Sequence, residues 1–219
     1  MPIRRSQTHS GVILHVLRPT EKDADVLRTQ YSVHPLDISA MLEVQTSADA
    51  SRYHHDHRLQ LCLPWVVEGR IVSCDVSFIW NDHQAIIVHD TPEKTISETL
   101  AVIENISERT PLEIVTYLLL ALTKRVEMLN VSSFPETRTV LQQNWQAIER
   151  LLTLVDQPFD PEYSAAWHLA LHRLKHLERQ TLEPRAISTA QYAERAPKTV
   201  MGFATASVFV FVSVLWALH

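Results

Sequence analysis

The chain has 219 residues, a length suited to one compact domain with appendages rather than two full domains. With 46% apolar and 21% charged residues it can bury a sizeable core, which excludes a disordered chain. A formal charge of -5 leaves no basic stripe to neutralise phosphates, so no nucleic acid is expected as a partner.

The N-terminus, MPIRRSQTHS, is basic, and the short apolar run after it lacks the cleavage pattern of a signal peptide. Gly11–Leu17 predicts a first strand. Thr20 predicts an N-cap for a helix over Glu21–Tyr31, with Asp23 at its third position. His34-Pro35 starts a second short helix carrying Leu36, Ile38, Met41 and Leu42, and Gln45–Asp56 reads as a polar loop. Strands are expected near His57–Val67, Arg70–Trp80 and Gln84–His89, with turns at Glu68-Gly69 and Asn81-Asp82. A hairpin turning at Glu68-Gly69 pairs Leu63 with Cys74 and Leu61 with Val76, merging two apolar faces. Cys62 then faces away from Cys74, so the two cysteines are expected as reduced thiols of a cytosolic compartment. Pro64 predicts an edge strand or a bulge.

After His89 the apolar period lengthens from two to about three and a half. Thr91-Pro92-Glu93 predicts a helix start, and Ile96, Leu100 and Ile103 form one face. Thr110-Pro111-Leu112-Glu113 joins a capping box to an N-terminal proline. The apolar run Ile114–Thr123 is too short to cross a bilayer and predicts a buried core helix. Leu141, Trp145, Ile148, Leu152 and Val155 recur at helical spacing, as do Tyr163, Trp167, Ala170, Leu174 and Leu177. The helix-breaking run Asp156–Pro161 lies between them, so an antiparallel helical hairpin is expected. Thr199–Leu218 carries no charge and as a helix would span about 30 Å, the thickness of a hydrocarbon core. Arg185, Arg195 and Lys198 precede it, and the positive-inside rule places the preceding domain in the cytoplasm, as for a tail anchor. The expected organisation is an α/β domain over 1–130, a helical hairpin over 131–183, a connector over 184–198 and one transmembrane helix over 199–218.

Several pieces also fall in a familiar order. Leu17-Arg18-Pro19-Thr20, a helix, Val33-His34-Pro35-Leu36-Asp37-Ile38 with Met41-Leu42-Glu43, Val76-Ser77-Phe78-Ile79-Trp80 and Ile87-Val88-His89-Asp90 together resemble the cytoplasmic domain of CorA-like divalent-cation transporters. The run from Thr110-Pro111-Leu112 into Tyr117–Leu122 is similar to that family's following core helix, and the resemblance covers roughly Gly11–Asn130. It implies a CorA-like α/β/α cytoplasmic domain, pentameric assembly as a homo-oligomer, and a role in moving Mg²⁺ or Zn²⁺ across a bacterial inner membrane. The chain departs from the family in lacking its Gly-Met-Asn signature, in having one span where the family has two, and in carrying Ser39-Ala40 in place of the usual acidic pair. A pore for a hydrated cation needs a polar ring at its mouth, and Phe203, Val208, Phe209, Phe211 and Val212 supply none. The alternative is a non-conducting scaffold or regulator, tail-anchored, that kept the CorA-like domain.

Two histidine groups are candidate metal ligands. His168, His172 and His176 share one helix face, a spacing that can bring imidazoles over one zinc ion, but the apolar seam of Trp167, Ala170, Leu171, Leu174 and Leu177 puts them on the solvent side and favours a solvated polar face. His55 and His57 share a strand face beside Asp56. Gly202, Ala206, Ser213 and Ala217 form a small-residue stripe suited to helix packing in lipid. Three glycines make no nucleotide-binding fingerprint, and no nucleophile or zinc-protease motif occurs, so no enzyme is expected.

Overall fold

The computed structural model describes residues 3–8, 10–42, 47–53, 55–67, 70–90, 94–104, 109–129, 134, 136–154 and 161–181. Six strands, β1 (Ile3–Gln7), β2 (Val12–Leu17), β3 (Asp49–Tyr53), β4 (Asp56–Val67), β5 (Arg70–Trp80) and β6 (Gln84–His89), form one sheet in the order β1-β2-β6-β5-β4-β3. Only the β2–β6 pairing is parallel. Among the described residues six helices accompany them: α1 (Glu21–Tyr31), α2 (Pro35–Leu42), α3 (Lys94–Glu104), α4 (Pro111–Met128), α5 (Thr137–Leu154) and α6 (Pro161–Gln180).

The locally encoded elements form as the sequence predicts. Thr20 caps α1 and Thr110 caps α4, each in a reciprocal box with the residue three positions on, Asp23 or Glu113. The β4–β5 register pairs Leu63 with Cys74 and Leu61 with Val76, and Cys62 opposes Asp75 on the other face. Neither cysteine is in a disulfide, and both are buried.

One expectation is corrected, and one segment for which the sequence predicts no element gains one. The loop expected over Gln45–Asp56 contains β3, and the N-terminal basic segment forms β1. Both are edge strands of five residues rich in charge, a composition that protects sheet edges and hides the strand pattern. β3 pairs only with Asp56–Gln60, so among the described residues β4 has no strand neighbour on that side beyond Gln60, and Pro64 falls in this stretch. There the buried Asn144 of α5 replaces the missing neighbour. Its Oδ1 accepts from the Cys62 N–H at 2.9 Å and its Nδ2 donates to the Cys62 carbonyl at 2.7 Å.

Strand alternation divides the core in two. Leu14, Val16, Ile79, Ile86 and Val88 pack with Ala24 and Leu27 of α1 and Ile38 of α2. Leu59, Leu61, Leu63, Val76 and Phe78 share the larger core with Ile96 of α3, Leu118 of α4, Ile148 of α5 and Trp167 of α6. Residues Met1–Thr181 form one compact unit, so the hairpin of α5 and α6 belongs to the same packed body as the sheet. Arg138–Glu178 and Lys175–Glu149 ion pairs join these two helices. A second unit, Leu182–His219, lies outside the described residues together with the expected span at 199–218. Among the described residues no helix is long and apolar enough to cross a membrane.

One glycine is required by close approach. A Cβ on Gly11 would collide with the His83 carbonyl, where β2 enters beside β6.

Candidate functional site

A polar cleft opens where α1 and α2 no longer cover the sheet. Gln60 and Cys62 of β4 lie opposite Ser77 and Asp75 of β5 on the face that α2 partly covers. Just after β2 the chain turns through Arg18, whose φ of 50° lies in the left-handed region uncommon for a non-glycine residue. Its N–H donates to the His89 carbonyl at 2.8 Å, and its Nε donates to the Asp90 carbonyl at 2.7 Å. These bonds tie the ends of the parallel strands β2 and β6 together. Asp90 Oδ1 accepts from the Asp75 N–H at 3.3 Å, and Ser73 donates to Asp75 Oδ1 at 2.8 Å.

The resulting cleft, of about 190 Å³, is lined by Arg18, Met41, Gln60, Asp75, Ser77 and Asp90 among others. Gln60 is 1% exposed, and among the described residues its Oε1 has no hydrogen-bond partner. Two carboxylates, an amide oxygen and a hydroxyl are the donor types that hard cations take, with one guanidinium at the same wall. Burial, followed by the Asp75 and Asp90 charges, pushes the Cys62 thiol up to about 12. It is therefore a neutral thiol and neither a nucleophile nor a thiolate ligand near neutral pH.

The His-Pro-Leu-Asp stretch at the start of α2 serves packing. His34 stacks on Tyr53 with ring centroids 4.7 Å apart, and its Nδ1 accepts from the Leu36 N–H. Asp37 is wholly buried, with Arg58 Nε at 3.7 Å, and burial holds its carboxyl above the usual range. Asp49 of β3 receives Arg58 at 3.0 Å and Arg150 of α5 at 2.8 Å. The cluster thus links α2, β3, β4 and α5.

The histidines chosen from sequence do not gather into one site. His168, His172 and His176 stand on the exposed side of α6. His168 Nδ1 contacts the Ser164 carbonyl at 2.7 Å, His172 stacks on His176, and His176 Nε2 meets Gln180 Nε2 at 2.9 Å. His55 is exposed in a turn, whereas His57 stacks on Trp80 with centroids 5.4 Å apart. Burial, then Arg52, holds His57 below the usual histidine range. Among the described residues no group of three His, Cys, Asp or Glu side chains is assembled to hold a metal ion. Gly202, Ala206, Ser213 and Ala217 lie outside the described residues.

Sequence reasoning missed the cleft and a histidine pair. His15 Nε2 lies 2.7 Å from His89 Nε2, so one ring donates and the other accepts. The two positions share a sheet face on adjacent parallel strands, which only the β2–β6 register reveals.

The chain matches no family model and no curated protein. Solved structures do match its backbone. The CorA magnesium transporter from Methanocaldococcus jannaschii superposes with a TM-score of 0.72 over 97% of this chain and 81% of that one, at 10% identity. The ZntB cytoplasmic domain from Vibrio parahaemolyticus RIMD 2210633 gives 0.64 over 87% and 89%, also at 10% identity. The full-length CmaX protein gives 0.56 over 93% and 76%, at 15% identity. The fold is CorA-like. Its mixed sheet and flanking helices are the architecture that the His-Pro-Leu resemblance implied, although Asp37 here serves packing.

Proposed function

We propose that this chain is a homo-oligomeric membrane protein related to the CorA-type divalent-cation transporters. In this reading Thr199–Leu218 is the span and the α/β domain faces the cytoplasm of a bacterial cell. The observation that carries it is the backbone likeness to the CorA magnesium transporter over 97% of this chain. The uncharged C-terminal run after Lys198 supports the membrane placement. Mg²⁺ or Zn²⁺ would be the cargo, drawn to the acidic balance of the domain and its oxygen-lined cleft.

The second reading is a non-conducting scaffold or regulator built on the same domain. It is favoured by a span whose polar groups are scattered hydroxyls. Proteoliposomes holding the purified full-length chain separate the two. Mg²⁺ or Zn²⁺ flux above empty vesicles is expected for a transporter, and a well-inserted but silent oligomer overturns conduction in favour of the scaffold.

A further inference from the structure

The outer face of α6 carries His168, His172 and His176, and all three are exposed. Successive members are four residues apart, so neighbours stand one above the other on the helix, about 5–6 Å apart at Cβ. All three cannot reach one ion, because eight residues of helix rise about 12 Å. Two can. His172 and His176 already lie nearly parallel, with ring centroids 6.3 Å apart and planes 11° from each other. His168 is drawn instead to the preceding turn, where its Nδ1 lies 2.7 Å from the Ser164 carbonyl. The trio that the spacing suggested becomes a pair.

The nitrogens of this pair are open to a ligand. Among the described residues neither ring nitrogen of His172 has a hydrogen-bond partner. His176 Nε2 meets Gln180 Nε2 at 2.9 Å. An amide N–H can only donate, so this contact places a lone pair on His176 Nε2, the form that a metal ion takes. The cations on neighbouring turns are held to other helices. Arg173 donates to the Leu120 carbonyl at 3.2 Å and stands 3.9 Å from Glu127 of α4, and Lys175 pairs with Glu149 of α5 at 2.8 Å. Arg179, three positions past His176, is exposed, where salt screens its charge. Glu178 is engaged by Arg138 at 3.3 Å, so imidazole nitrogen is the ligand type that this face offers.

We propose that His172 and His176 form a two-imidazole site for a borderline transition-metal ion of the Zn²⁺ type. Each ring supplies one nitrogen, and water fills the remaining tetrahedral positions. Imidazole suits zinc, whereas Mg²⁺ takes oxygen ligands, so the site separates the two ions that the oxygen-lined cleft does not. A bound ion clamps the turn from 172 to 176, one turn before α6 ends at Gln180. This binding is independent of whether the chain conducts ions.

The test is hydrogen exchange of the full-length chain in lipid nanodiscs, read by mass spectrometry against rising free Zn²⁺. Zn²⁺ is expected to slow exchange of the amides over 172–180, and Mg²⁺ at the same concentration is expected to leave them unchanged. The Zn²⁺ concentration giving half of this protection should rise about tenfold or more in His172→Gln and in His176→Gln, because a single ligand forfeits the gain of a tethered pair. His168→Gln should move it less than about twofold. Circular dichroism melting without metal checks that each variant folds, which the exposure of all three side chains favours. Protection equalled by Mg²⁺, no protection at millimolar Zn²⁺, or an unmoved midpoint in folded His172→Gln overturns the proposal. A shift in His168→Gln as large as that in His176→Gln overturns the pairing.

Discussion

On the side of the sheet covered by α3 to α6, Leu59, Leu61, Leu63, Val76 and Phe78 are buried in one apolar core with Leu118, Ile148 and Trp167. One residue along the same strands, the other face presents Gln60, Asp75 and Ser77 around a cleft. The difference follows from what covers each face. Three of the helices on the first side are 18 to 20 residues long, whereas α1 and α2 have 11 and 8. The short pair seals Leu14, Val16, Ile79, Ile86 and Val88, and the remainder of that face is finished with polar side chains. Stability is therefore concentrated on one face, and the hydrogen-bonding groups left open to a ligand lie on the other.

Substitutions can break this comparison, and the largest effect is expected at Trp167. Its ring is fully buried, tilts against Trp80 with centroids 5.9 Å apart, and its Nε1 donates to Thr116 at 2.9 Å. Trp167→Ala should cost about 3–5 kcal/mol in urea denaturation of the full-length chain. A loss below about 1 kcal/mol would mean that the long-helix side does not carry the stability assigned to it. Next comes Asn144→Ala, which strands the Cys62 N–H and carbonyl at the open edge of β4. It should cost about 2–3 kcal/mol and speed hydrogen exchange at the Cys62 amide, with the hydrogen-bond partners of β3 unchanged.

The titratable groups give smaller effects of opposite sign. His57, beneath the helices on the apolar side, is held below its ordinary value, so the unfolded chain takes up the proton first. Its contribution to stability should fade as pH drops through the ordinary histidine range, and His57→Phe should flatten that slope. Asp37, beside α2, is held above its ordinary value, so the native chain keeps the proton longer. Stability should fall as pH rises from the ordinary carboxylate range through the raised value, and Asp37→Asn should remove that fall. Denaturation midpoints measured from about pH 4 to 8 read both slopes.

The smallest effect is expected at Gln60. Its Oε1 is buried without a partner, so Gln60→Leu should leave stability within about 1 kcal/mol of the parent or raise it. A large loss there would show that the cleft is a packing element, contrary to the contrast between the faces.

The caps, the helix starts and the β4–β5 register were legible because each rests on interactions between residues close in sequence. Thr20 with Asp23, Thr110 with Glu113, and the alternation leading to Leu63 opposite Cys74 are of this kind. Asn144 carried a signal too, a polar residue three positions after Leu141 and four before Ile148 on the buried side of α5. Reading it required knowing that β3 begins at Asp49, opposite Gln60, and leaves Cys62 without a strand neighbour among the described residues. β1 and β3 were missed because edge strands with charged side chains lack the apolar alternation that marks a strand, and their pairing is decided by partners elsewhere.

The sequence by itself determined the order and kind of most elements, their caps, and which strand residues share a face. Tertiary structure alone decided that Arg18, Gln60, Asp75, Ser77 and Asp90 meet in one cleft, and that His15 and His89 come within 2.7 Å of each other. The physical reason is range. Capping and alternation act across a few residues, whereas a cleft is defined by where helices of unequal length stop covering a sheet built from distant strands.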